Sequence, residues 1–276
     1  GHLQAWRIKL EFRPELTGRQ VVVAEKIDVR ESEGVLDVDM QVTLRTDDPM
    51  SYWRVGLRNR GLRYGIERVR FPVVSFAPIG KAADNVFVYP RERGGLVEDP
   101  FHAPTGLGSG FHTRGAFYPV DFDMQFQALY DQKSSKGVFV GTQDSTPNLM
   151  HTRIQNTPRE LTWSVAHFPP NITYAEEDYA QPYDCVVGPF RGDWYDACQI
   201  YRSWALKQSW CRQGPLRTRQ DVPQWYKQAP LYLYTTLADS AEGTHSKSKN
   251  MELAAGRVRE WLQWSGMKLP VNLYGW

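Results

Sequence analysis

No apolar run in this chain approaches the roughly 18 residues that a membrane-crossing helix requires, so no transmembrane helix is expected. Net charge is almost absent. Thirty-three Lys and Arg stand against 31 Asp and Glu, leaving +2, too little to draw the chain to nucleic acid or to an anionic membrane. Neither is an expected partner. Cysteine is scarce: Cys185, Cys198 and Cys211 lie 13 residues apart, a spacing that fits no metal motif. An odd count leaves at least one thiol free and assigns no redox compartment. His102, His112, His151 and His167 also lack metal-ligand spacing. Gly106-Leu107-Gly108-Ser109-Gly110 lacks the strand-to-helix setting of a phosphate loop, and there is no Gly-x-Ser-x-Gly elbow. No metal or cofactor is therefore expected. Gly1-His2-Leu3-Gln4 carries neither the basic nor the apolar region of a secretory leader. A leader already removed would look the same, so the compartment stays open.

What is present is β-structure and aromatic rings. At 276 residues the chain has room for one large domain or two ordinary ones. Aromatics make up 13% of it, with 10 Trp and 14 Tyr, enough to serve both a β-rich core and a surface that stacks on flat ligands. Residues 35–44 show the clearest strand pattern. Val38, Met40, Val42 and Leu44 point one way; Asp37, Asp39, Gln41 and Thr43 point the other. Glu33-Gly34 is a turn signal, so 21–30 and 35–45 are expected to form a hairpin. Further strands are expected at 52–57, 66–76, 85–89, 124–130, 137–142, 161–168 and 183–187. Many short strands without intervening helices argue for a large two-sheet antiparallel β-sandwich over residues 1–190. The Gly- and Pro-rich stretch 91–115 reads as a long loop, either covering a ligand or neighbouring domain or simply connecting the sheets.

Residues 191–222 read as a joining helix and linker. Asp193 is a good N-cap, with Asp196 as the acidic partner of a capping box. Trp194, Ala197, Cys198, Tyr201, Trp204 and Ala205 recur at helical spacing and predict one buried face. Residues 223–276 read as a β-α-β unit: strand 231–236, helix 250–265 capped by Asn250 and ended by Gly266, and strand 269–275. A crossover of this length makes the strands parallel. Two parallel strands do not bury both their faces alone. The unit is thus expected to need a further segment, a second chain, or a scaffold folded upstream.

Several ordered stretches carry a resemblance. They are Tyr118-Pro119, the run from Met124-Gln125-Phe126 to Tyr130-Asp131, Gly137-Val138-Phe139-Val140-Gly141-Thr142-Gln143-Asp144, Gly188-Pro189-Phe190-Arg191-Gly192-Asp193-Trp194-Tyr195-Asp196, Ile200-Tyr201-Arg202-Ser203-Trp204, and Pro223-Gln224-Trp225. In this order, over roughly 115–276, the chain resembles bacterial proteins of glycosidase type. It is loosely similar to endo-α-N-acetylgalactosaminidases and more distantly to α-galactosidases. The resemblance implies a mainly β fold, with a galactose mutarotase-like sandwich, a helix, and the start of a (β/α)8 barrel. It also implies α-glycoside hydrolysis by two carboxylates and an oligosaccharide or polysaccharide ligand. In such proteins the carboxylates sit on later barrel strands, so the catalytic pair is expected beyond residue 276, and this chain alone is expected to be inactive. Ligands bind at the C-terminal ends of barrel strands. That places Thr235, Thr236, Asp239, Tyr274 and Trp276 near sugar, with Trp276 suited to stacking, and Asp144 if its loop faces the barrel.

Two other readings of the residues remain: a non-catalytic carbohydrate-binding module, and an assembly domain whose open strand edge pairs with another chain. Asp121 and Asp123 alternate with Phe122 and suggest one strand face, solvated or acting as an acid/base or calcium pair. Glu176-Glu177-Asp178 reads as an exposed loop. Arg54, Arg58, Arg60, Arg63, Arg68 and Arg70 form a dense basic group that salt bridges with Asp47, Asp48 and Glu67 would neutralise.

Overall fold

The computed structural model describes residues 20–23, 27–31, 34–60, 65–90, 94–103, 116–170, 174, 176–229, 231–236 and 247–274. These form two compact units, 1–208 and 209–276. The first is a two-sheet antiparallel sandwich. Its strands in chain order are β1 (Gln20–Val23), β2 (Ile27–Glu31), β3 (Gly34–Arg45), β4 (Asp48–Asn59), β5 (Val69–Phe76), β6 (Asn85–Tyr89) and β7 (Gly95–Glu98). They continue with β8 (Ala116–Tyr118), β9 (Phe126–Asp131), β10 (Lys136–Thr142), β11 (Met150–Thr157), β12 (Glu160–His167), β13 (Tyr179–Ala180) and β14 (Cys185–Arg191). The larger sheet runs β1-β3-β4-β14-β10-β9-β6-β7, with β2 also on β3 and β13 on β4; the smaller runs β5-β12-β11-β8.

The expected hairpin is β2–β3, paired from Ile27↔Val38 to Glu31↔Gly34. Along β3, Met40 and Val42 are buried while Asp39 and Gln41 are exposed, as alternation requires. Asp37 departs from the pattern. It is buried, and the Arg60 guanidinium reaches its Oδ2 at 3.0 Å, which compensates the buried charge. Between the sheets, Phe87, Leu129 and Val140 of the larger pack against Ile154, Leu161 and Trp163 of the smaller. The opposite face of the larger sheet is also covered: Val86, Val88, Phe126, Ala128, Phe139 and Val186 form a second cluster with Ala197 of helix α1 (Trp194–Ala205). This explains why β6 and β9 are buried at every position: both their faces are dry.

Helix α1 starts where its caps dictate. Asp193 Oδ1 accepts the Tyr195 N–H at 2.7 Å, and the Asp193 N–H donates to Asp196 Oδ2 at 3.0 Å, a reciprocal capping box. Ala197 is buried, and Cys198, Tyr201, Trp204 and Ala205 are half-buried. Trp194, expected on the same face, is 46% exposed. Gly192, just before the cap, holds φ +123, and a Cβ there would collide with the Asp196 carboxylate. Gly192→Ala is therefore expected to strain the backbone and break the box together, costing about 2–3 kcal/mol. An unchanged denaturation midpoint would contradict this.

The second unit holds short helix α2 (Gln224–Lys227), β15 (Leu233–Thr236), α3 (Lys247–Ser265) and β16 (Val271–Tyr274). Strands β15 and β16 are parallel, with Leu233↔Val271 through Thr236↔Tyr274. Helix α3 ends at Gly266, which takes φ +62, the left-handed position a helix terminus favours. Its start corrects the expected cap: the helix is already formed at Lys247, so Asn250 lies inside it. No helix among the described residues is long and apolar enough to cross a membrane.

Candidate functional site

The parallel pair defines one candidate edge. Register places Thr235 opposite Leu273 and Thr236 opposite Tyr274, so both strands finish side by side at the same end, about 5 Å apart. Tyr274 is thus brought beside Thr236 by its backbone. Asp239 and Trp276 lie outside the described residues. The second unit exposes several apolar side chains. Tyr234 is 63% and Trp264 78% exposed, and Leu231, Tyr232, Met251 and Trp261 are exposed as well.

Asp144 belongs to the sandwich unit and is 1% exposed. Its Oδ1 accepts the Thr146 N–H at 3.0 Å, the Thr146 hydroxyl at 3.1 Å and the Asn148 amide at 2.9 Å, and its Oδ2 accepts the Asn148 N–H at 2.7 Å. Those contacts turn the carboxylate back into its own loop, an Asx-type turn ahead of β11. The turn is tied to β9 by Gln125, whose Oε1 accepts the Asp144 N–H and the Thr142 hydroxyl, while its Nε2 donates to the Asp144 carbonyl. Asp144→Ala is expected to orphan these donors and cost about 1–3 kcal/mol in a denaturant titration of the sandwich. A loss below about 0.5 kcal/mol would show that water replaces them.

Several other sequence expectations meet their geometry here. Asp121 and Asp123 do not share a strand: residues 119–125 form a turn, and Asp121 Oδ2 accepts the Phe117 N–H at 2.9 Å. Pro119 and the short span after β8 leave no ladder for the alternation to use. In the basic group, Arg54 pairs with Asp184 at 2.5 Å, Arg60 with Asp37 at 3.0 Å, and Arg58 lies 4.0 Å from Asp39. Arg63 lies outside the described residues. Arg70 is held below its ordinary pKa by partial burial and by Arg153 and Arg68. Cys185 is fully buried, and burial raises its thiol pKa, which makes it a poor nucleophile. All three cysteines are free. Among the described residues no cluster of three His, Cys, Asp or Glu could hold a metal.

The sandwich also holds a cleft of about 250 Å3, and sequence reasoning missed it. Met50, Phe139 and Val186 of the larger sheet form its floor, and Tyr201 and Trp204 of α1 form a wall. Polar groups enter from Asp48, Tyr52, Gln143 and Ser203. Asp48 is held from two sides: Oδ1 accepts the Met50 N–H at 2.9 Å and Oδ2 the Tyr52 hydroxyl at 2.5 Å. The Arg45 guanidinium stacks 4.2 Å over the Tyr52 ring. Burial and the Asp48 hydrogen bond push the Tyr52 phenol up to about 12, so it stays a donor at every ordinary pH. The rings are fixed too: Tyr201 stacks on Phe126 at 5.3 Å and lies 5.6 Å from Trp204.

Residues 179–276 match the family model described as a domain of unknown function, DUF6259. Over 67 residues the chain is 39% identical to a Monosiga brevicollis protein named "Putative glycoside hydrolase 22789"; the match covers 20% of this chain and 6% of that protein. In structure the chain is similar to the α-N-acetylgalactosaminidase NagBb from Bifidobacterium bifidum. Against its complex with GalNAc the TM-score is 0.50 at 14% identity, covering 93% of this chain and 44% of that one. Against its Gal-NHAc-DNJ complex the TM-score is 0.52 at 16% identity, covering 93% and 43%. At such identity the likeness is one of fold. The chain spans less than half the length of the NagBb chain.

Proposed function

We propose that this chain is the N-terminal portion of a carbohydrate-active glycoside hydrolase. Its sandwich supports a (β/α)8 barrel that β15, α3 and β16 begin, and the catalytic carboxylates lie beyond residue 276. The observation that carries this reading is the second unit itself. A parallel β-α-β whose strands end on one edge and whose helix exposes Trp261 and Trp264 fits the opening element of a closed parallel barrel, where neighbouring strands and helices would bury those rings. The sandwich-then-parallel order and the local identity to a protein named as a glycoside hydrolase support it further.

On this reading the ligand is an oligosaccharide or polysaccharide. The ends of β15 and β16, where the backbone of Tyr274 lies, would form one wall of its site. Two carboxylates on later strands would supply acid and nucleophile or base. The test is to express the chain together with the coding sequence that follows Trp276 and to assay both forms on aryl α-glycosides. Turnover by the longer protein and none by residues 1–276 is expected. Turnover by the 276-residue chain, or a stop codon directly after Trp276, would overturn the proposal.

A further inference from the structure

We infer that the cleft between α1 and the larger sheet is a saccharide-binding site in its own right, taking the ring of a neutral hexose or N-acetylhexosamine. All its lining residues lie in the sandwich unit, and the inference shares with the proposed function only the class of ligand.

Size sets the first limit. A volume of about 250 Å3 falls just under the lower end of ordinary ligand pockets, which suits one sugar ring and excludes a nucleotide or a long acyl chain. Lining chemistry sets the second. A pyranose has one C–H face and a rim of hydroxyls. The cleft offers the apolar side as Trp204, Tyr201 and Phe139, rings already held by neighbours, so little ordering cost attends binding.

The rim groups match hydroxyls in both directions. Each Asp48 oxygen accepts one hydrogen bond from its own chain, which aims the carboxylate and leaves each oxygen a further lone pair for a sugar O–H. Gln143 is half-buried and brings an amide that both donates and accepts. Ser203 donates its own proton to the Ile200 carbonyl at 2.7 Å, so toward the cleft its oxygen acts as an acceptor.

Charge sets the third limit. The one carboxylate at the cleft repels phosphates, sulfates and uronic acids. The nearby cation, Arg45, lies 4.0 Å from Asp48 and is engaged over Tyr52. A purely apolar ligand would desolvate Asp48 without replacing its hydrogen bonds. A neutral, hydroxyl-rich ring meets all three limits: it fits the volume, stacks on the rings and replaces the hydrogen bonds of Asp48.

The experiment is calorimetric and ligand-observed NMR titration of the 276-residue chain with the methyl glycosides of galactose, glucose, mannose, N-acetylgalactosamine and N-acetylglucosamine. At least one is expected to bind, with a Kd of about 0.1–5 mM, as suits a single ring with few contacts. Trp204→Ala and Gln143→Ala are expected to weaken that sugar at least tenfold, while Trp264→Ala in the second unit leaves it unchanged. Gln143→Ala serves if Trp204→Ala does not fold, since Gln143 lies at the rim and not on the helix. No binding by any of the five up to about 50 mM would overturn the inference. So would binding that survives both cleft substitutions or is lost with Trp264→Ala. Because this readout is binding by the sandwich unit and not turnover by a longer protein, either proposal can fail without the other.

Discussion

Trp163→Ala is expected to destabilise the sandwich unit by about 5 kcal/mol, enough to leave it largely unfolded at 37 °C. Trp163 sits on β12 between the two sheets and is 1% exposed. It packs in one cluster with Leu129 and Val140 from the larger sheet and Leu161 and Val165 from its own strand. Truncating a buried aromatic to alanine costs about 3–5 kcal/mol, in lost transfer energy and in the cavity left behind. A second cost is specific to this site. The indole Nε1 donates to Gln127 Oε1 at 2.6 Å, and Gln127 is itself 3% exposed. Removing the donor orphans that oxygen, at about 1–3 kcal/mol. Since a domain's whole stability is roughly 5–15 kcal/mol, the sum reaches the threshold. Trp163→Phe, which keeps most of the volume and loses the donor, separates the terms and is expected to cost about 1–3 kcal/mol. Urea titration of both variants measures this. A loss below about 1 kcal/mol for Trp163→Ala would mean that the sheets close over the gap.

The sandwich is also expected to lose about 3 kcal/mol of stability as pH falls from 6.5 to 4, through one histidine. His167 is fully buried at the end of β12. Its Nε2–H donates to the Phe71 carbonyl at 2.6 Å, and its Nδ1 accepts the Tyr183 hydroxyl at 2.6 Å. Both contacts suit the neutral ring. Burial lowers its pKa from 6.5 to about 4, against a smaller opposing effect of the Phe71 carbonyl. Between those values the unfolded chain binds a proton that the folded chain refuses. The contribution is therefore whole above pH 6.5 and is lost as pH falls toward 4. Denaturant titrations across this window should show the slope, and His167→Gln should flatten it while lowering stability at pH 7. A flat profile in the parent chain, or an equal slope in His167→Gln, would assign acid sensitivity to other groups.

How much of this was legible in the chain varied with how local the physics is. Strands β3, β6, β9 and β10 are readable because their own residues carry the pattern, alternating in β3 and mostly apolar in the doubly covered β6 and β9. The same holds for the start of α1, where Asp193 and Asp196 act on amides two or three residues away. The parallel pairing of β15 and β16 follows from the length of the crossover between them. Strand β11 was missed. In Met150–Thr157 only Met150, Thr152 and Ile154 face inward, and His151, Arg153 and Gln155 mask them with a polar face. Strands β7 and β8 were missed at the margins of a Gly- and Pro-rich stretch that reads as loop; each is short, and its pairing comes from the neighbouring strand, not from its own composition.

The candidate sites divide in the same way. The strand-end edge with Tyr274 was placed from sequence because chain order alone puts those positions at one end of a parallel pair. The cleft was not, since Asp48, Gln143 and Trp204 lie far apart in the chain. They meet because the larger sheet sets β4 beside β14 and β14 beside β10, and α1 then returns across the same face. Asp144 could be named but not oriented, because its direction depends on Gln125 from another strand and on the turn it closes. Element type and capping are settled within a few residues by backbone sterics and local hydrogen bonds. Strand order, the double burial of β6 and β9 and the assembly of the cleft are settled only when distant apolar faces are removed from water together, and no local stretch of sequence carries that term.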